Sequence, residues 1–155
     1  MRNIAIYGQK QRIDNLFGYA PMLAQQDSEL VGHWARYLCV LCAGFIENSI
    51  KEILQEYVKG KSNVMISNYC TKTLGRIMNP KTSKILDSLN CFNEKWKDET
   101  EVFTKTNGRK EAIDSIMTNR HLIAHGKNVG ISIGTLKSYY GKTIEVIDFI
   151  EGKIG

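Results

Sequence analysis

Proline is nearly absent from this 155-residue chain: there are two, Pro21 and Pro80. Because proline breaks helix interiors, its scarcity leaves long stretches free to be helical. Sustained alternation of Val, Thr, Tyr and Ile is missing too, which removes the period-two signal of half-buried strands. The longest wholly apolar run, Tyr37 to Ile46, is ten residues, whereas a membrane span needs about 20. The opening MRNIAIYGQK is too polar for an export signal, so the expectation is a cytoplasmic protein with nothing cleaved. Four cysteines, Cys39, Cys42, Cys70 and Cys91, do not make a disulfide scaffold at this size; reduced, small buried residues are expected. Phosphate-loop signatures of the Walker and GxGxxG kinds are absent. A hydrophobic fraction of 43% with a net charge of only +5 excludes disorder, and the length fits one domain over residues 1–155.

What is present is helical periodicity. Asp27-Ser28 offers a cap, after which Leu30, Trp34, Leu38, Leu41 and Phe45 recur at spacings of three and four. Ile46, Ile50, Ile53, Leu54 and Tyr57 extend the pattern to Gly60, predicting one long helix from Asp27 to Lys59. A shorter helix around Ile13, Leu16 and Phe17 ends before Pro21. Val64 to Met78 reads as another helix, ended by Asn79-Pro80. Lys81 to Lys97 restarts, with Ile85, Leu86, Leu89 and Phe92 apolar. Beyond a Thr-rich connection through Asn107-Gly108, a helix from Arg109 to His125 stops at Gly126, and Thr135 to Ile154 closes the chain. The sum is an all-α bundle of five or six helices with the longest as its spine.

Two of the three histidines, His121 and His125, fall in one segment with Arg120: RHLIAHG. Residues five apart on a helix project about 140° apart, but the Arg stem is long and His125 sits in the last turn, so both heads can reach a common cleft. An imidazole that titrates near neutral pH, beside a planar phosphate-binding guanidinium, suits cleavage of an RNA backbone. In the plainer alternative, Arg120 pairs with an acid and His125 caps helix carbonyls. Glu47, at the end of the apolar run, needs a partner at the core margin. It either orients Arg120 or His125, or pairs with Arg36 or Lys51. His121-x-x-x-His125 and Cys39-x-x-Cys42 have metal-like spacings but no completing ligands, so no metal and no cofactor are expected. His33 is expected to be structural.

Charge is uneven along the chain. From Lys59 through Lys84 there are six basic residues (Lys59, Lys61, Lys72, Arg76, Lys81, Lys84) and no acid, while Glu94 to Glu101 holds four acids. Such a run collects a phosphate backbone when it lies on one side, or is an ordinary solvated face when it does not. Trp96, Tyr69, Tyr139 and Tyr140 either stack bases or pack in the core.

Arg120-His121-Leu122-Ile123-Ala124-His125 resembles the Arg, polar residue, three variable residues, His signature of the HEPN superfamily of helical ribonucleases and nucleotide-binding proteins. Gly44-Phe45-Ile46-Glu47, Asn79-Pro80-Lys81 and the RHLIAHG segment followed by Ile131-Ser132-Ile133 extend the likeness, which is to the RiboL-PSP type, from about Asp27 to the C-terminus. The resemblance implies Arg120 and His125 as a catalytic pair, with His121 in the polar position. It further implies a homodimer with a composite cleft and metal-independent cleavage of single-stranded or loop regions of RNA. In this reading Glu47 supports the pair, and Lys72, Arg76, Lys81 and Lys127 hold the RNA. Stand-alone domains of this kind serve as toxins or phage-defence effectors, sometimes with a cognate antitoxin or regulatory partner. The alternative the resemblance leaves open is a non-catalytic module that binds nucleotide or RNA, or serves as a dimerisation scaffold.

Overall fold

A computed structural model describes residues Met1 to Gly155, and every regular element in it is a helix. They run α1 (Ile4–Gly18), α2 (Ala20–Ala24), α3 (Ser28–Lys61), α4 (Val64–Leu74), α5 (Thr82–Asn90), α6 (Glu94–Thr104), α7 (Arg109–Ala124) and α8 (Ile133–Ile154). Eight segments exceed the five or six expected, for local reasons. Pro21 opens the five-residue α2 at its first turn, where a missing N–H costs nothing. The helix expected over Lys81–Lys97 breaks at Cys91, and Asn93 then caps a new helix by accepting the Lys95 N–H at 2.9 Å. Consequently α6 extends to Thr104, over much of the stretch read as a connection.

The spine α3 is 34 residues long, about 51 Å at 1.5 Å per residue. Asp27 caps it by accepting the Glu29 N–H at 2.8 Å, as its position implied. One face buries Leu38, Cys39, Cys42, Phe45, Ile46, Ile50 and Leu54, and α1, α2, α4, α7 and α8 all lie against it. Each buried Leu, Ile or Phe contributes about 1.5–3 kcal/mol, so this face makes a large contribution to stability. Tyr140 of α8 sits between Phe17 and Phe45, with ring centroids 5.6 and 5.5 Å away. Cys39 and Cys42 are core residues: burial pushes the Cys39 thiol up to about 11 and holds the Cys42 thiol well above its ordinary value. Arg109, at the start of α7, lies 3.9 Å over the Phe103 ring and donates to Glu145 at 2.7 Å, joining α6, α7 and α8. No helix is long and apolar enough to cross a membrane.

Segment 64–78 departs most from its reading. The helix ends at Gly75, before Asn79-Pro80, and within it only Leu74 is buried. Val64, Met65 and Ile66 are exposed at 75%, 80% and 53%, so their apolar character does not serve the core.

Candidate active site

The last turns of α7 carry Arg120, His121 and His125. Gly126 adopts φ +68°, a conformation cheap only for glycine. It lets the Lys127 N–H donate to the Leu122 carbonyl at 2.9 Å and the Gly126 N–H to Ile123 at 3.0 Å. This paired closure satisfies the orphan carbonyls of the helix end. His125 is thereby fixed as the capping residue at φ −95°, ψ 17°. Its backbone serves the helix end, while its side chain is exposed and meets the edge of His121, ring centroids 4.4 Å apart. Arg120, one turn back, is half-buried and makes no ion pair, so the plainer alternative of an acid-paired arginine does not hold. Lys127 is exposed just beyond the turn.

The turn Asn79-Pro80-Lys81 is held beside this helix end by two long-range bonds. Glu47 of α3 accepts the Asn79 N–H at 2.8 Å, where Asn79 itself takes the left-handed conformation at φ +46°. Its other oxygen takes Lys51 Nζ at 2.8 Å. Burial pushes the Glu47 carboxyl up, but Lys51, the Asn79 amide and the charge of Arg120 outweigh it and hold it below its usual value. Of the sequence alternatives, the ion pair is therefore with Lys51, and Arg120 acts on Glu47 through its field. The second bond involves Asp114 of α7, which accepts the Thr82 N–H at 2.8 Å. Lys81 gives α5 no side-chain cap, and the carboxylate from α7 supplies one where the helix dipole favours negative charge.

Between the turn and the helix end lies an open groove of about 430 Å³ lined by Asn79, Lys81, Ser83, Lys84, Met117, Thr118 and His121. Lys81 and His121 thus share one surface. Lys72 and Arg76 belong to the exposed side of α4 and the turn after it, and do not line the groove. His33 is exposed, 3.8 Å from Glu29, and takes no part in packing. Sequence reasoning missed Lys84, Thr118 and Asp114 as neighbours of the site. Lys84 was visible in the basic run; Asp114 was not, because its partner lies 32 residues away. No group of three or more His, Cys, Asp or Glu side chains converges to hold a metal.

Chemically, the helix end presents an imidazole open to solvent, a guanidinium uncommitted to any acid and a cationic groove alongside. This set can bind a phosphodiester and move a proton at it. The family model for RiboL-PSP-HEPN matches residues 9–155, and the chain belongs to that family. No curated protein and no solved structure matches it.

Proposed function

We propose that this protein is a metal-independent endoribonuclease, folded as one HEPN domain over residues 1–155. His125 acts as the acid/base and Arg120 binds the scissile phosphate and its developing charge. The adjacent 2′-hydroxyl is the nucleophile, so the products are a 2′,3′-cyclic phosphate and a 5′-hydroxyl, and DNA is not cut. The observation that carries this reading is an exposed His125 at the cap of the helix that also bears Arg120, which makes no ion pair, in a chain of this family. His121 lies against His125 and shapes the groove side of the site. Glu47 is a positioning residue that holds the Asn79 turn.

Flexible, single-stranded or loop RNA is the substrate, because in-line attack needs a geometry that duplex RNA resists. The active form is a homodimer, in keeping with the family resemblance; light scattering should report about 35 kDa, twice the 17.6 kDa of the chain. A toxin or phage-defence role, with an antitoxin or regulatory protein as partner, is in keeping with the same resemblance. The test is incubation of the purified protein with total RNA in excess EDTA beside a His125→Ala control. Cleavage by the parent alone supports the reading, and equal cleavage by both removes His125 from the chemistry.

A further inference from the structure

Helix α4 packs chiefly against α3, and of its eleven residues only Leu74 is buried. Ser67, Cys70, Thr71 and Leu74 form its inner side. At 100° per residue, Met65, Tyr69 and Lys72 then point directly away from the protein. Tyr69 is 72% exposed; its ring meets no other aromatic and its hydroxyl no protein partner. The other aromatics weighed as base-stacking candidates behave differently. Trp96 packs edge-on against Tyr57 at 5.0 Å, Tyr139 lies against the core, and Tyr140 is sandwiched within it. Only Tyr69 of these four presents an open ring face to solvent.

Its surroundings are cationic. Lys72 lies one turn on, Arg76 follows just past the helix, and no acid occurs between Glu56 and Asp87. From Arg76 the chain runs directly to Asn79, held by Glu47, and then to Lys81 in the groove beside His121. An exposed π-face with cations one turn apart, joined through residues 76–81 of the chain to the groove, matches a single strand that offers alternating bases and phosphates. We infer that Tyr69, with Lys72 and Arg76, is a base-stacking subsite for single-stranded RNA, remote from the scissile bond and feeding the groove at Lys81. The inference rests on the ribonuclease reading for its substrate, and sharpens it: the enzyme grips a stretch of several unpaired nucleotides.

The test uses the full-length His125→Ala protein and a fluorescent 2′-O-methyl oligonucleotide of twelve residues, which cannot be cleaved. Binding by anisotropy should weaken about 10-fold or more when Tyr69→Ala is added, since base–aromatic stacking is worth that much. Tyr69→Phe, which keeps the π-face, should bind within about twofold of the parent. The salt slope should stay unchanged in Tyr69→Ala, because the lost contact is not a phosphate contact. Undiminished binding by Tyr69→Ala overturns the subsite, and the Met65–Tyr69 stripe is then assigned to a protein partner. Cleavage by the wild-type chain in EDTA is scored separately. A Tyr69-dependent binder that never cleaves keeps the subsite and removes the enzyme reading; an active nuclease indifferent to Tyr69 does the reverse.

Discussion

Along α6 the charges neutralise one another. Lys97 reaches Asp98 at 3.0 Å and Glu101 at 2.9 Å, Lys105 reaches Glu101 at 2.8 Å, and Lys153 of α8 takes Glu99 at 2.8 Å. Lys105 and Lys97 hold the Glu101 carboxyl down to about 2. From Lys59 to Lys84 the six cations do the opposite: all are exposed, and none makes an ion pair. Lys84 makes only a contact to the Met78 carbonyl, at 3.1 Å. The net +5 of the chain is therefore not spread evenly. The α6 region is internally compensated, and the stretch from Lys59 to Lys84 keeps uncompensated positive charge, of the kind that attracts a polyanion.

The comparison breaks most sharply at the helix end. Arg120→Ala and His125→Ala should each lower RNA cleavage by about 10²–10⁴-fold. Neither should alter the melting temperature, because neither side chain is buried in the core or tied to an acid. A parallel fall in stability would mean that these groups hold the fold.

Next in size is the salt dependence of RNA binding. With a slope of about −0.7 per phosphate contact for single strands, changing Lys72, Arg76 and Lys81 together to Gln should flatten the log–log slope by about 2, three contacts' worth. An unchanged slope would make the basic run a solvated face.

Glu47 gives a smaller effect, and one with a defined pH window. Its carboxyl lies below 4.5 in the folded chain, so the stability it contributes is fully present above its unfolded value and is lost as pH falls through the folded one. Glu47→Gln should cost about 1 kcal/mol near neutral pH and nothing in acid well below that window, as urea titrations at the two pH values will show. The same variant should loosen the Asn79 turn and raise KM more than it lowers kcat, because Glu47 positions the groove and touches no reacting atom. On the compensated side, Lys105→Ala should leave the melting temperature and RNA binding unchanged, as expected for an exposed ion pair.

The features legible in the sequence were those decided locally. Asp27 as a cap, the apolar stripe of α3 and the glycine stop at Gly126 are each set by residues within one or two turns, and each stands where the pattern put it. The position of Arg120 and His125 at a helix end was legible for the same reason. Features decided by distant partners were not. Periodicity shows that a stretch is helical but not whether another helix covers it, which is why a helix could be read from Val64 onward while the exposure of Val64 and Met65 could not. The break at Cys91 to Asn93 was hidden because Phe92 continues the apolar pattern across a turn. The bonds from Glu47 to Asn79 and from Asp114 to Thr82, each spanning 32 residues, build the groove, and no local pattern announces them.

The central claim is that an uncommitted Arg120 and His125 cut RNA without a metal. Its most direct test is end-group analysis of a defined single-stranded RNA incubated with the wild-type protein in excess EDTA, beside His125→Ala and an all-deoxy version of the same strand. The account predicts 2′,3′-cyclic phosphate and 5′-hydroxyl ends from the wild-type reaction alone. An RNA left intact, or products carrying 5′-phosphates that form only when a divalent metal is restored, would contradict it.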